Sequence, residues 1–279
     1  MAKLTVMMDA SKPAAALPAL LDQMWKDYTR LNPQAQRIHD LFVKAGERVV
    51  NDHIALRTYG LPRVSIEVLA RPFVAGGYRP GETYDFPEKR LVARHFEPPE
   101  ASAPKVFISQ LLVEQLPAPA QRIIERLVGT VTPATTERFD FCCSGRPWPL
   151  SFADYEQLRE VSDYAAWVAA FGFRPNHFTV LVNELQRYRT VAAVNALLER
   201  HGFELNAAGG TIKGSPEVLL EQSSVIANTI DVTFTDGVHA IPGCYYEFAR
   251  RYPRPDGSLY PGFVAASADK IFESTNRGQ

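Results

Sequence analysis

Three short segments constrain the fold of this chain most: Asp52-His53-Ile54-Ala55-Leu56-Arg57-Thr58, Asn176-His177-Phe178-Thr179-Val180-Leu181 and Tyr245-Tyr246-Glu247-Phe248-Ala249-Arg250. Each alternates polar and apolar residues, the pattern of a strand with one face in a core, so residues two apart share a face. Each then carries one residue able to ligate a metal: His53, His177 or Glu247. Two imidazoles and a carboxylate on one face of a metal leave open positions for substrate and dioxygen, the arrangement used by non-haem iron(II) oxygenases.

Taken singly, these residues have plainer readings. His53 and His177 fit hydrogen-bonded histidines on half-buried strands, and Glu247 fits an ordinary salt bridge to Arg250 or Arg251. The gaps of 124 and 70 residues carry no local metal motif of the kind that a helix with two histidines four apart provides. Placement raises the joint case. The two histidines stand on the opening strand of two similar stretches, and the glutamate on the last strand of the second.

Those stretches run over about 14–115 and 175–255. The first follows helices over 14–31 and from Pro33, then reads as a strand at His53, a helix from Ser65 ending at Gly76-Gly77, and strands over Arg90–Glu97 and Lys105–Val113. The second reads as strand His177–Val182, helix Val191–Arg200, and strands Val225–Phe234 and Cys244–Arg250. A helix over Pro119–Val128, a Thr-, Pro- and Gly-rich stretch to Pro149 that fits a linker or inserted connection, and short helices over Phe152–Glu160 and Asp163–Phe171 join them. The expectation is an α+β fold, one catalytic domain over 1–279 made of two βαβββ-like halves whose curved mixed sheets enclose a central site.

Length and composition agree with a sizeable core: 279 residues, 46% hydrophobic. A net charge of -1 with no basic stripe argues against nucleic acid or an anionic membrane as partner. No basic segment precedes an apolar run, and the run near Ala14 to Leu21 is interrupted by Pro18, so neither a signal peptide nor a membrane span is expected. Cys142, Cys143 and Cys244 make no disulfide framework, which points to a reducing cytoplasm.

Further residues could serve the site. Arg57 shares a strand face with His53, with backbones about 13 Å apart, and its guanidinium could lean back toward the far side of a metal-bound ligand. Gln222-Ser223-Ser224 gathers hydrogen-bonding groups that either cap a bend or orient a carboxylate or keto oxygen. Of the other histidines, His39 and His201 read as structural, His95 as a partner near the site or a wet edge residue, and His239, in a loop, as the substitute ligand.

His53-Ile54-Ala55-Leu56-Arg57-Thr58, Asn176-His177-Phe178-Thr179, Gln222-Ser223-Ser224 and Ile241-Pro242-Gly243 leading to Tyr246-Glu247-Phe248, in that order, resemble the 2-oxoadipate dioxygenase/decarboxylase family over roughly residues 20–255. The resemblance implies a fold related to the vicinal-oxygen-chelate enzymes, iron(II) on His53, His177 and Glu247, and Arg57 as the residue that grips the 2-oxo acid. It implies conversion of 2-oxoadipate and dioxygen to 2-hydroxyglutarate and carbon dioxide, as in lysine catabolism, with the bound fragment hydroxylated in place. The chain is shorter than the longest members, which bears on the substrate more than the metal. Two rivals remain at this point. One is a non-redox metal lyase, isomerase or hydrolase, since the donor set also suits zinc; the other is a non-catalytic binder of small acids.

Overall fold

The computed structural model describes residues 11–275, with side chains from residue 15 onward. The part of the signal-peptide reading that rests on residues 1–10 lies outside the described residues. Helices α1 (Ser11–Leu31) and α2 (Pro33–Lys44) lead into β1 (Asn51–Tyr59), α3 (Ile66–Ala75), β2 (Arg79–Phe86), β3 (Leu91–Glu97) and β4 (Lys105–Leu111). Four helices follow: α4 (Ala118–Gly129), α5 (Pro133–Thr136), α6 (Phe152–Arg159) and α7 (Asp163–Phe171). The chain then forms β5 (Pro175–Leu181), α8 (Val191–Arg200), β6 (Lys213–Ser215), β7 (Leu220–Ser224), a hairpin β8 (Thr229–Phe234) and β9 (Gly237–Pro242), β10 (Tyr245–Arg251) and α9 (Ala265–Phe272).

Eight strands make one curled mixed sheet in the order β2-β3-β4-β1-β5-β10-β7-β6, and the β8-β9 hairpin stands apart. The order reads the same from either end if β1 is matched to β5. β4 runs parallel to β1, as β10 runs parallel to β5, and β1 meets β5 antiparallel at the seam. Each half is thus strand, helix, then three strands. The second half carries the hairpin as an insertion before its last strand.

Alternation explains the layering. Ile54 and Phe178 point to the helix-covered face, where Trp25 of α1 meets the Phe178 ring edge-on at 5.1 Å, while His53 and His177 point to the other. Leu17, Leu20, Met24 and Tyr28 of α1 are buried at helical spacing, and the Tyr28 hydroxyl donates to the Tyr245 carbonyl at 2.5 Å, tying α1 to the second half. On the second half Ser223 donates to Asn195 of α8 at 2.7 Å on the same outer face.

Several boundaries differ from the sequence reading. β2 was unanticipated: Arg79-Pro80-Gly81-Glu82 looks like loop, and the strand lies at the sheet edge with its first five residues exposed, where a proline lacking an N–H does no harm. The expected strand Val225–Phe234 starts late: residues 225–228, just past the end of β7, are irregular, and only Thr229–Phe234 forms a strand, β8. The stretch before Pro149 is no solvated linker, because Phe141, Cys142, Cys143 and Trp148 are buried in the core. No helix among the described residues is long and apolar enough to cross a membrane.

Candidate metal centre

His53 on β1, His177 on β5 and Glu247 on β10 converge on the inner face of the sheet at its seam. The register places them there. His53 pairs with Thr179, Ala55 with His177, and Glu247 with Thr179, so the three side chains sit on three adjacent strands around Thr179. His53 Nε2 lies 3.4 Å from His177 Nε2 and 3.7 Å from Glu247 Oε1, and His177 Nε2 lies 3.1 Å from Glu247 Oε2. Donors about 2.1 Å from a common ion, at angles of about 90–110°, stand about 3.0–3.5 Å apart. All three residues are buried, and among the described residues they form the group of three close donors able to hold a metal ion.

Both imidazoles are turned the right way by their neighbours. His53 Nδ1 lies 2.7 Å from Asp52 Oδ1. An ionised carboxylate only accepts, so this nitrogen carries the proton and Nε2 presents its lone pair. His177 Nδ1 lies 3.1 Å from Asn176 Oδ1, which does the same. Asp52 would normally point to the opposite face from His53. A register shift between Asn51 and His53 brings it round.

Asp52 is fixed in turn by Arg251, whose Nε and Nη2 donate to it at 2.6 and 2.8 Å. Burial would raise the Asp52 carboxyl, but the Arg251 charge and the hydrogen bonds from His53 and Arg251 outweigh it and hold the group well below the usual carboxylate range. Arg251 therefore serves Asp52, not Glu247 as the simple salt-bridge reading had it. Burial lowers His177 to about 4 against the pull of Glu247, so it is neutral at neutral pH, the form a metal needs. Glu247 Oε1 accepts from Gln222 Nε2 at 2.6 Å, whereas Oε2 is buried and accepts no hydrogen bond. Two lone-pair nitrogens facing a buried carboxylate oxygen without a donor fit a cation at their centre.

Arg57 lies beyond this triad along β1, buried, with its guanidinium carbon 5.1, 5.2 and 5.5 Å from the ring centres of Tyr164, Trp167 and Phe272. Its Nε and Nη2 are buried and make no hydrogen bond. It lines a cavity of about 170 Å³ with Lys89, Arg90, Ser162 and Tyr164. A second cavity, about 20 Å³, touches His53, His177, Glu247, Gln222, Phe107 and Phe263. Another cavity, about 560 Å³, opens on the opposite face beneath α1, where Ile54 and Phe178 rather than His53 and His177 line it.

Of the Gln222-Ser223-Ser224 group, Gln222 reaches Glu247, but Ser223 faces α8 and Ser224 bonds Ser274 at 2.7 Å. His239 lies on β9 rather than in a loop, stacked on Phe152 at 3.7 Å, and is no substitute ligand. His95 is buried between Tyr84 and Glu97 at 2.9 Å from each. Sequence reasoning missed Phe263, whose ring stands edge-on 4.8 Å from that of His53, and the whole of α9, whose Ala268, Ile271 and Phe272 roof the small cavity. Nothing in the local pattern of residues 256–275 tells which face of the sheet they cover. Asp-His and Asn-His at the starts of two matching strands were the available signal for the orienting pairs.

Comparison with known proteins agrees with the site. The sequence matches the family described as 2-oxoadipate dioxygenase/decarboxylase over residues 12–139 and 136–258. A rice protein named 2-oxoadipate dioxygenase/decarboxylase, chloroplastic/amyloplastic, is 35% identical over 96% of this chain and 83% of its own length. The solved structure of a rice hydroxyglutarate synthase in complex with 2-oxoadipate superposes with a TM-score of 0.88 at 33% identity, covering 95% of this chain and 94% of that one. A Shewanella frigidimarina structure, provisionally named a hydrolase, gives 0.85 at 49% identity over 89% and 98%.

One expectation is overturned by these relatives. A cytoplasmic placement has no support, since the rice protein is named for plastids. Its basis was weak physically, because three buried free cysteines mark a reducing environment at most and not a particular compartment. The fold, the converging donors and the matched sequence together place this chain in the 2-oxoadipate dioxygenase/decarboxylase family, as an enzyme of that oxidative type.

Proposed function

We propose that His53, His177 and Glu247 hold one iron(II), and that the protein converts a 2-oxo diacid, 2-oxoadipate above all, to 2-hydroxyglutarate with uptake of dioxygen and release of carbon dioxide. The convergence of two lone-pair nitrogens and a buried carboxylate, with a buried guanidinium beyond them whose Nε and Nη2 make no hydrogen bond, carries this reading. Iron(II) in such a set supplies electrons and open positions at which a 2-oxo acid and dioxygen can meet. The protein does the rest. Asp52 and Asn176 keep the imidazole protons away from the site, and Gln222 aims Glu247. Phe107, Phe263 and Phe272 exclude water, which strengthens every charge interaction inside.

Arg57 holds the far carboxylate of the diacid. Its fork of donors matches a carboxylate bidentately, which lysine cannot reproduce. Arg57→Ala should keep its metal yet lose roughly 30- to 1,000-fold in kcat/KM, on the order of 2–4 kcal/mol, with Arg57→Lys recovering only part. Near wild-type kcat/KM in Arg57→Ala would remove it from the substrate site. The overall reaction is tested with an oxygen electrode and carbon dioxide trapping on iron-loaded protein. One dioxygen per carbon dioxide is expected, and release at the aerobic rate under strict anaerobiosis would favour a lyase instead.

A further inference from the structure

The two cavities on the inner face are neighbours, and one side chain belongs to both. Phe272, at the end of α9, lines the roughly 20 Å³ space at the triad and the 170 Å³ space at Arg57. The first has room for about one water molecule, far too little for a 2-oxo diacid. The second meets Arg57 but stops short of the donors. We propose that the Phe272 ring is a movable partition, displaced when a diacid spans from the triad to Arg57, and that its bulk sets the length of acid accepted. This rests on the function proposed above and adds the residue that reads chain length.

The surroundings of Phe272 suit a part that moves on a fixed mount. Ser274, two residues on, is pinned: its hydroxyl bonds Ser224 at 2.7 Å and Asn206 Nδ2 at 2.9 Å, and its carbonyl accepts from the Ala227 N–H at 2.9 Å. Asn206 also donates to the Lys270 carbonyl at 2.9 Å. These bonds all come from the second half. From the first half, Lys89 bonds Glu273 and lies 3.7 Å from Asp269. These three side chains are about a quarter exposed, so the contact is the weaker, more easily broken one. The ring lies 5.4 Å from that of Phe86 and 6.4 Å from that of Tyr164, with the Arg57 guanidinium over its face, contacts that impose no directional bond on it. When the ring leaves, Arg57 loses one of three aromatic faces and gains an anion.

The test uses iron-loaded protein and a ladder of five-, six- and seven-carbon 2-oxo diacids, with anaerobic calorimetry for binding and oxygen uptake for kcat/KM. Phe272→Ala should raise the seven-carbon to six-carbon ratio of kcat/KM by about 10-fold or more, the effect of a methylene's worth of room, with Phe272→Leu between it and wild type. If both Phe272 variants bind metal and diacid but keep the wild-type ratio within about twofold, the ring is no partition. If wild-type protein binds none of the acids, the substrate assignment falls and the partition with it, so the two failures look different.

Discussion

The two halves of the sheet can be laid on one another residue by residue, and they agree at one donor and disagree at the next. Matching His53 to His177 matches Ala55 to Thr179. Phe107, paired to Ala55 on β4, then falls where Glu247, paired to Thr179, stands on β10. By the same count Arg57 corresponds to Leu181, and His95 to Ser224. The first half thus offers an imidazole and a cation with a phenyl ring at the remaining place, whereas the second offers an imidazole and a carboxylate. A fourth protein donor would close the site, as structural metal sites are closed. The ring at Phe107 keeps it open.

The largest effect should come from removing the donor that only one half has. Glu247→Ala should lose nearly all bound iron and all turnover while staying folded, measured by metal analysis and circular dichroism; full iron occupancy would break the assignment. Restoring symmetry the other way is the sharper experiment. Phe107→Glu should bind divalent metal at least as tightly as wild type yet turn over little 2-oxo acid, since a second carboxylate takes an open position; unimpaired oxygen uptake would show that position 107 does not face the metal. Asp52→Asn leaves the shape of the site but can donate to His53 and favour the wrong tautomer. A loss of about 10–100-fold in metal affinity is expected, read by competition with a chelating dye, and Asn176→Ala should lose less because its bond is longer.

The halves also differ at their outer edges. β2 is largely exposed, whereas Lys213 on β6 is buried, its ammonium bonded to the Asn206 carbonyl. Burial lowers Lys213 to about 8, only partly offset by Glu247. Between about pH 8 and the usual lysine range near 10.4, the unfolded chain binds a proton that the folded one has released. Stability should rise with pH across that window. Thermal melts at pH 8 and 9.5 should show this gain in wild type and a flatter response in Lys213→Met, the smallest of these effects; equal slopes would mean that Lys213 titrates normally.

Strand alternation made the donor-bearing segments legible, because His53, His177 and Glu247 sit in runs whose period of two survives in the structure. The helices with clear caps were legible for the same kind of reason: the Ser162 hydroxyl of α7 accepts from the Ala165 N–H, and apolar residues follow at once. β2 was hidden because an edge strand needs no buried face. The β6-β7 pair was hidden because three- and five-residue strands show too few alternations to count. The roof was hidden for a different reason. Phe263 and Phe272 owe their place to long-range contacts with Tyr84, Lys89 and Asn206, none of which leaves a periodic trace.

The seam where β1 meets β5 divides the three candidate donors between the halves. One donor comes from one side of that seam and two from the other, so neither half alone presents a complete ligand set. An ion bound there acts as a staple between the halves, and at a free concentration about 100 times its Kd it would add about 2.7 kcal/mol to their joint stability. If that ion is the iron proposed above, a cell short of it would hold a protein that is less firmly closed as well as idle.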